Sequence, residues 1–397
     1  MKIKIYPISS SLHSSQAIGS ATKKLIDELK SDSRSIEIEN DINKLYTDTD
    51  LSLILIQTGG SENIFLENFA KLKEPYYLLT YGTNNSLAAS LEILAYLNNH
   101  HLEGEILHGS KEYLISRISS LSKNKNLIQC GNKLGVIGKP SDWLISSAVN
   151  YQAVQEKFNF SLVDIDISEV ENTYKSIKDD FELPKFSSSF NNSELRKAYR
   201  FYLALEQIVN KYELKGFTIR CFDLLTSLKT TACLALSIFN SKQITATCEG
   251  DIPSLISMHI ANTVFNTPAF QANPAKIDIA TNTMVLAHCT LPLSMCSSYK
   301  FDTHFESNIG VGIHGELKLE DITVFRINSS LSEAFVEEGK ILSNQYKNNM
   351  CRTQIEIELP NLDKLLFHPL GNHLSIIYKD RKNELVSFFK DKGIKVI

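Results

Sequence analysis

The sequence has no apolar run near the ~20 residues a helix needs to cross a bilayer, so no membrane span is expected. It has no basic excess either. Lys and Arg number 41 against 45 Asp and Glu, a net charge of −4, which argues against a general nucleic-acid binder. It has no CxxC pair. Its seven cysteines, at 130, 221, 233, 248, 289, 296 and 351, are scattered and odd in number. That fits reduced thiols in a cytosolic protein better than a disulfide framework, and most of them read as small buried apolar residues. The opening MKIKIYPISSS alternates like a strand, and its apolar stretch is too short for a secretory h-region. The expected location is therefore the cytoplasm. There is no internal repeat and no low-complexity tract. What remains is ordinary for a globular protein: 43% hydrophobic and 22% charged residues, over a length suited to roughly two or three domains.

The first 150 residues alternate strand and helix patterns. Strands are predicted at Lys2–Ile8, Leu51–Gln57, Tyr76–Thr80, Gly104–His108 and Leu134–Ile137, with helical spacing between them. Such alternation indicates a parallel sheet covered by helices. A second α/β block follows: a strand at Phe160–Asp166, a helix at Ser193–Tyr212, a strand at Gly216–Arg220 and a helix at Leu224–Asn240. Beyond about Ser298 the pattern changes to strands with few helices between them, which suggests an antiparallel barrel or sandwich. The expected fold class is α/β: two Rossmann-like parallel-sheet domains, 1–156 and 157–298, followed by an antiparallel β domain, 299–397.

The stretch Thr245-Ala246-Thr247-Cys248-Glu249-Gly250-Asp251 runs from β-branched residues into Ile252, Leu255, Ile256 and Met258 at helical spacing. Two acids thus stand where a buried strand hands over to a helix. In structural terms, Asp251 caps the helix and Glu249 faces water. In chemical terms, ligands of open α/β sheets bind at the carboxyl ends of strands, and an acid there is a metal ligand or a base. His288 and His373 also stand at element termini. A lone histidine in such a place is ordinarily structural, but two histidines and a glutamate form a candidate divalent-metal set. Their donors suit Mn, Fe, Co, Ni or Zn. Gly310-Val311-Gly312-Ile313-His314-Gly315 matches GxGxxG, yet Glu316-Leu317-Lys318-Leu319 continues as alternating strand. A dinucleotide fingerprint opens a helix, so these glycines read as bends in a β-ribbon.

Fragments along nearly the whole chain resemble the L-fucose/L-arabinose isomerase superfamily, particularly its shorter fucose-isomerase-like members. In the first domain they are Thr58-Gly59-Gly60-Ser61-Glu62, Asn85-Ser86-Leu87 and Gly138-Lys139-Pro140-Ser141-Asp142-Trp143-Leu144. In the second they are Cys221-Phe222-Asp223, Ala246 to Asp251, Pro268-Ala269-Phe270 and Ala287-His288-Cys289. In the last they are Gly310 to Gly315, Cys351-Arg352-Thr353-Gln354 and Gly371-Asn372-His373.

The resemblance implies a homo-oligomer with its site in a cleft between domains, often completed by a neighbouring subunit. It implies aldose–ketose isomerisation of a small monosaccharide or derivative through an enediol, with Mn²⁺ or another divalent metal. Glu249 matches the family's first acid, His373 its C-terminal histidine, and His288 the histidine that is a ligand in the arabinose branch. Trp143 is expected near a sugar face, in this or a neighbouring subunit. The chain departs from the pattern at the second acid, whose position holds Asn273. An amide can coordinate a cation but brings no charge and cannot serve as a carboxylate base. Asp278 replaces it only if the intervening loop runs differently. The expected function is a metal-dependent sugar isomerase; the alternative is a divergent or non-catalytic sugar-binding relative. A generic two-lobed α/β binding protein, the third reading, predicts no metal.

Overall fold

A computed structural model describes residues 1–10, 15–30, 34–129 and 131–397; Cys130 lies outside the described residues. By its internal contacts the chain divides into two compact units, Met1–Asn126 and Leu127–Ile397. No helix among the described residues is long and apolar enough to cross a membrane. The six described cysteines are all free thiols, and Cys221, Cys233, Cys248 and Cys289 are buried.

The first unit is built on five strands: Lys2–Ile8 (β1), Ser35–Ile38 (β2), Leu51–Ile56 (β3), Tyr76–Leu79 (β4) and Gly104–Leu107 (β5). They form a wholly parallel sheet in the order β2-β1-β3-β4-β5. Its central strand, LSLILI, sends Leu51, Leu53 and Leu55 to one face and Ile54 and Ile56 to the other. Both faces are covered, which is why the strand reads as a continuous apolar run.

The second unit combines a parallel sheet with a barrel. Asn132–Ile137 (β6), Phe160–Ile165 (β7), Gly216–Ile219 (β8) and Thr245–Cys248 (β9) pair in parallel in the order β7-β6-β8-β9. The remaining strands are Phe270–Asp278 (β10), Thr283–His288 (β11), Cys296–Asp302 (β12), Gly312–Leu317 (β13), Asp321–Ile327 (β14), Glu333–Asn344 (β15), Thr353–Glu358 (β16), Leu374–Tyr378 (β17) and Lys395–Val396 (β18). Six of these run β14-β17-β10-β11-β16-β15, and β15 pairs back onto β14, closing an antiparallel barrel. Closure removes the open sheet edges that invite aggregation. The expected class, parallel sheets with helices plus an antiparallel barrel, is the observed one.

The barrel draws its strands from Phe270 onward, well before residue 299, and β6 lies in the sheet of the second unit. The GxGxxG stretch enters β13, which pairs antiparallel with β12, as the alternating residues after it require. One helix differs from expectation. Leu224–Asn240 is two helices, Asp223–Ser227 and Cys233–Ser241. The break places Thr231, whose hydroxyl donates to the Val311 carbonyl at 2.8 Å and accepts from the Val311 N–H at 2.9 Å. A tertiary hydrogen-bond pair here overrides the helical spacing of the apolar residues.

The helix Ile252–Phe265 joins the two layers. From Ile252 to Ala261 every residue is buried, as in a helix packed on all sides. Its apolar side chains share one cluster with Leu134 and Val136 of β6 and with Phe325, Ile327 and Ile377 of the barrel. It thereby brings the carboxyl ends of the parallel strands to one mouth of the barrel. Thr231→Val, which leaves both Val311 groups buried and unpaired, is expected to cost about 1–3 kcal/mol. A lowered thermal midpoint, with far-UV circular dichroism unchanged below the transition, is the measurement.

Candidate metal centre

Strand β9 is buried at every residue and ends in a tight turn. Glu249 (φ +65°) and Gly250 (φ +74°) are both left-handed, the region that favours glycine. Gly250 has a second reason to be glycine: a Cβ there would lie 2.3 Å from the Lys139 carbonyl oxygen. The Ser141 N–H donates to the Glu249 carbonyl at 2.9 Å, so the β6 loop carrying Trp143 is fixed against the turn. The Gln271 amide oxygen accepts from the Cys248 N–H at 2.8 Å and ties β10 to the end of β9. Beneath the turn the thiols of Cys221 and Cys248 are 2.8 Å apart.

Glu249, His288 and His373 converge here. Each offers one ligand atom, all three atoms lie within 4.8 Å of one another, and all three residues are buried. His373 Nε2 is 3.4 Å and His288 Nε2 3.9 Å from Glu249 Oε1. Each imidazole is oriented through its other nitrogen. His373 Nδ1 is 2.8 Å from Asp251 Oδ2, and His288 Nδ1 is 2.9 Å from the Thr290 hydroxyl. Both Nε2 atoms are thereby directed toward the carboxylate, and His373 Nε2 is buried without a hydrogen-bond partner. The other Glu249 oxygen accepts from Trp143 Nε1 at 2.8 Å.

Asp251 does more than cap. Its Oδ1 accepts from the Ser254 N–H, as the sequence predicts, but its carboxylate also pairs with Arg326, which is completely buried. Arg326 donates as well to the carbonyls of Leu370 and His373 and to the Ser254 hydroxyl. Gly371 makes room for it, since a Cβ there would come within 2.4 Å of the guanidinium. Sequence reasoning missed Arg326. The only signal was a lone arginine in the apolar strand DITVFRI.

The protonation states follow from this packing. Burial would raise Glu249, but the close approach and charge of His373, the neighbouring His288 and the Trp143 N–H outweigh it and hold the acid at about 2. Burial likewise opposes ionisation of Asp251, yet Arg326 and His373 keep it below the ordinary carboxylate range. Burial and the neighbouring His373 push His288 down to about 3, against the pull of Glu249. Burial would lower His373 too, but Asp251 and Glu249 lift it to about 8.

The other expected positions fall as follows. Trp143 sits on Glu249 of its own chain, 53% exposed. Asn273 is in β10, opposite Ala287 and so one residue from His288 in register. Its Oδ1 accepts from Asn372 Nδ2 at 3.4 Å, beside His373. It therefore borders the cluster. Asp278 is at the far end of β10, where its carboxylate accepts from the N–H groups of Ala280 and Thr281 in the hairpin turn. With the motif in a strand, Asp278 cannot stand in for a second acid.

The donor set fits a divalent transition metal. Two imidazole nitrogens and a carboxylate oxygen converge, one nitrogen is orphaned, and partners behind both imidazoles fix the ring orientations. The class defined so far is an α/β protein with a Glu/His/His cluster at the carboxyl ends of a parallel sheet, against a barrel mouth. No family model matches the chain. It is 27% identical over 209 residues to a sulfoquinovose isomerase of Clostridium sp. (strain MSTE9), a match taking in 47% of this chain and 45% of that protein. It is 23% identical over 330 residues to the sulfoquinovose isomerases of Priestia megaterium (strain ATCC 12872 / QMB1551) and Priestia aryabhattai, covering 76% of this chain and 73% of each of theirs. The relatives are thus named as sugar isomerases, and the Clostridium match spans less than half that protein's length.

In metal-free protein the raised His373 gives a testable pH dependence. A histidine lifted from 6.5 to about 8 stabilises the fold fully below pH 6.5, and this is lost as pH rises through 8. The loss is about 2 kcal/mol. Urea unfolding of EDTA-treated protein is expected to show it between pH 6 and 9, and His373→Gln to abolish it.

Proposed function

We propose that the chain is a divalent-metal-dependent aldose–ketose isomerase of the fucose/arabinose isomerase superfamily. Its substrate is a small monosaccharide or derivative, and sulfoquinovose, after the names of its relatives, is the first to test. The observation that carries this reading is the convergence of Glu249, His288 and His373, with His373 Nε2 buried, without a hydrogen bond, and 3.4 Å from Glu249 Oε1.

Glu249 Oε1 and the Nε2 atoms of His288 and His373 would hold the ion, with Mn²⁺ the first candidate. When bound, it polarises the sugar carbonyl and stabilises negative charge on the neighbouring oxygens. The protein's own groups do the rest. Asp251 holds His373 in the tautomer that leaves Nε2 free, and Arg326 keeps Asp251 ionised in the interior. Trp143 fixes the second Glu249 oxygen and offers an exposed indole face against which a sugar ring can lie. The exposed position of that ring is compatible with a neighbouring copy completing the cleft in a homo-oligomer. The reduced thiols fit a cytoplasmic enzyme.

Asn273 favours a second reading, a relative that binds sugar without isomerising it. The two separate cleanly. With Mn²⁺ present, the isomerase is expected to wash deuterium from D₂O into sulfoquinovose at C1 or C2 and to form the ketose. A binding protein shifts its melting temperature with the sugar but exchanges nothing.

Metal content gives the prior test. Wild type is expected to hold about one ion per chain, and Glu249→Gln and His373→Ala to hold none, by elemental analysis after dialysis. Asp251→Asn removes the partner behind His373 and is expected to weaken Mn²⁺ binding about 10–100-fold. A wild type that binds no ion in excess Mn²⁺ removes the isomerase reading at its first step.

A further inference from the structure

Isomerisation needs a group that takes a proton from one carbon and returns it to the next. Glu249 is poorly placed for this: Oε2 is held by Trp143, and Oε1 faces both histidines. Position 273 supplies no carboxylate. Another titratable side chain lies near the site. The Trp143 ring meets Phe222 edge to face at 5.0 Å, and Phe222 meets His304 in the same way at 5.6 Å. This row of rings runs from Glu249 to His304, which lies within electrostatic reach of Glu249 and His288.

His304 is firmly held. Its N–H donates to the Ile309 carbonyl, and its own carbonyl accepts from Asn308. Just beyond, Gly310 (φ +63°) packs on Thr231, and the Gly310 N–H donates to Glu194. His304 Nδ1 is 3.0 Å from the Ser307 hydroxyl. A proton on Nδ1, donated to that oxygen, leaves the lone pair on Nε2. Burial and the charge of Arg352 hold the imidazole below its ordinary value, against the pull of Glu249, so it is neutral at pH 7, as a base must be.

We propose that His304 is the acid–base residue that moves the proton between C2 and C1 of the sugar. The inference rests on the isomerase reading. Nε2 takes the proton from C2. The C2–H electrons form the C1=C2 double bond, and the carbonyl electrons move to O1, which takes a proton from solvent water to give the enediol. The imidazolium then returns its proton to C1, the O2 hydroxyl gives its proton back to water, and C2=O forms. No electrons enter or leave, and the histidine ends as it began.

The test uses the full chain loaded with Mn²⁺ and sulfoquinovose in D₂O, following loss of the C2 proton by NMR. His304→Gln is expected to slow exchange about 10²–10⁴-fold, with metal content and the sugar-induced melting shift unchanged. In His304→Gly, added imidazole is expected to restore part of the rate, which a purely structural role would not allow. Glu306 is the rival, since it is near enough to Glu249 to be raised by that charge as well as by burial. If Glu306→Gln loses exchange while His304→Gln keeps the wild-type rate, the proposal is overturned and the isomerase reading stands. If wild type exchanges nothing, both fall together.

Discussion

The second unit turns on one buried carboxylate. Asp251 starts the helix Ile252–Phe265, pairs with Arg326 of the barrel, and holds the imidazole of His373. An ion pair buried this deeply is a weak source of net stability, because desolvation offsets most of the attraction. Its contribution is positional. It links a helix from the parallel sheet, a strand of the barrel and a histidine between two further strands through atoms that must all be present together. Removing Asp251 or Arg326 leaves an uncompensated charge in the interior. The geometry of the Glu249/His288/His373 cluster thus depends on the same contact that docks the two layers.

Much of this was legible in the sequence, for identifiable reasons. Strands such as LSLILI and TATC are short apolar runs bounded by turn residues, and their periodicity needs no tertiary context. Glu249 stood out because an acid at a strand-to-helix turn is chemically conspicuous, and Asp251 as a cap because the residues after it have helical spacing. The grouping of His288 and His373 with Glu249 rested first on their shared place at element termini and then on the resemblance; nothing in spacing across more than a hundred residues fixes it. The misses share a cause. Arg326 drew no notice in the sequence, because barrel closure and the helix packed against it lie beyond the reach of alternation. The split of Leu224–Asn240 depends on Thr231 finding Val311 eighty residues away. Nor does local sequence signal the Trp143–Phe222–His304 row, which joins three separate loops.

The site also shows how a scaffold divides its work. The parallel sheet supplies the carboxylate and the aromatic wall from loops after its strands. The barrel supplies the imidazoles from the ends of its own. Neither layer holds all three residues of the cluster, so the cluster exists only where they meet. The same division explains why Asn273 borders the cluster without belonging to it. Its strand is tied to β9 through Gln271, two residues earlier, and the amide pairs with Asn372 beside His373.

Glu249 has a left-handed backbone, which costs a residue bearing a Cβ roughly 1–2 kcal/mol relative to glycine. Folding alone favours glycine or asparagine at this position, and on the proposed function it is the use of the carboxylate that opposes such a change. A relative that has abandoned the proposed chemistry is then expected to relieve the strain at position 249.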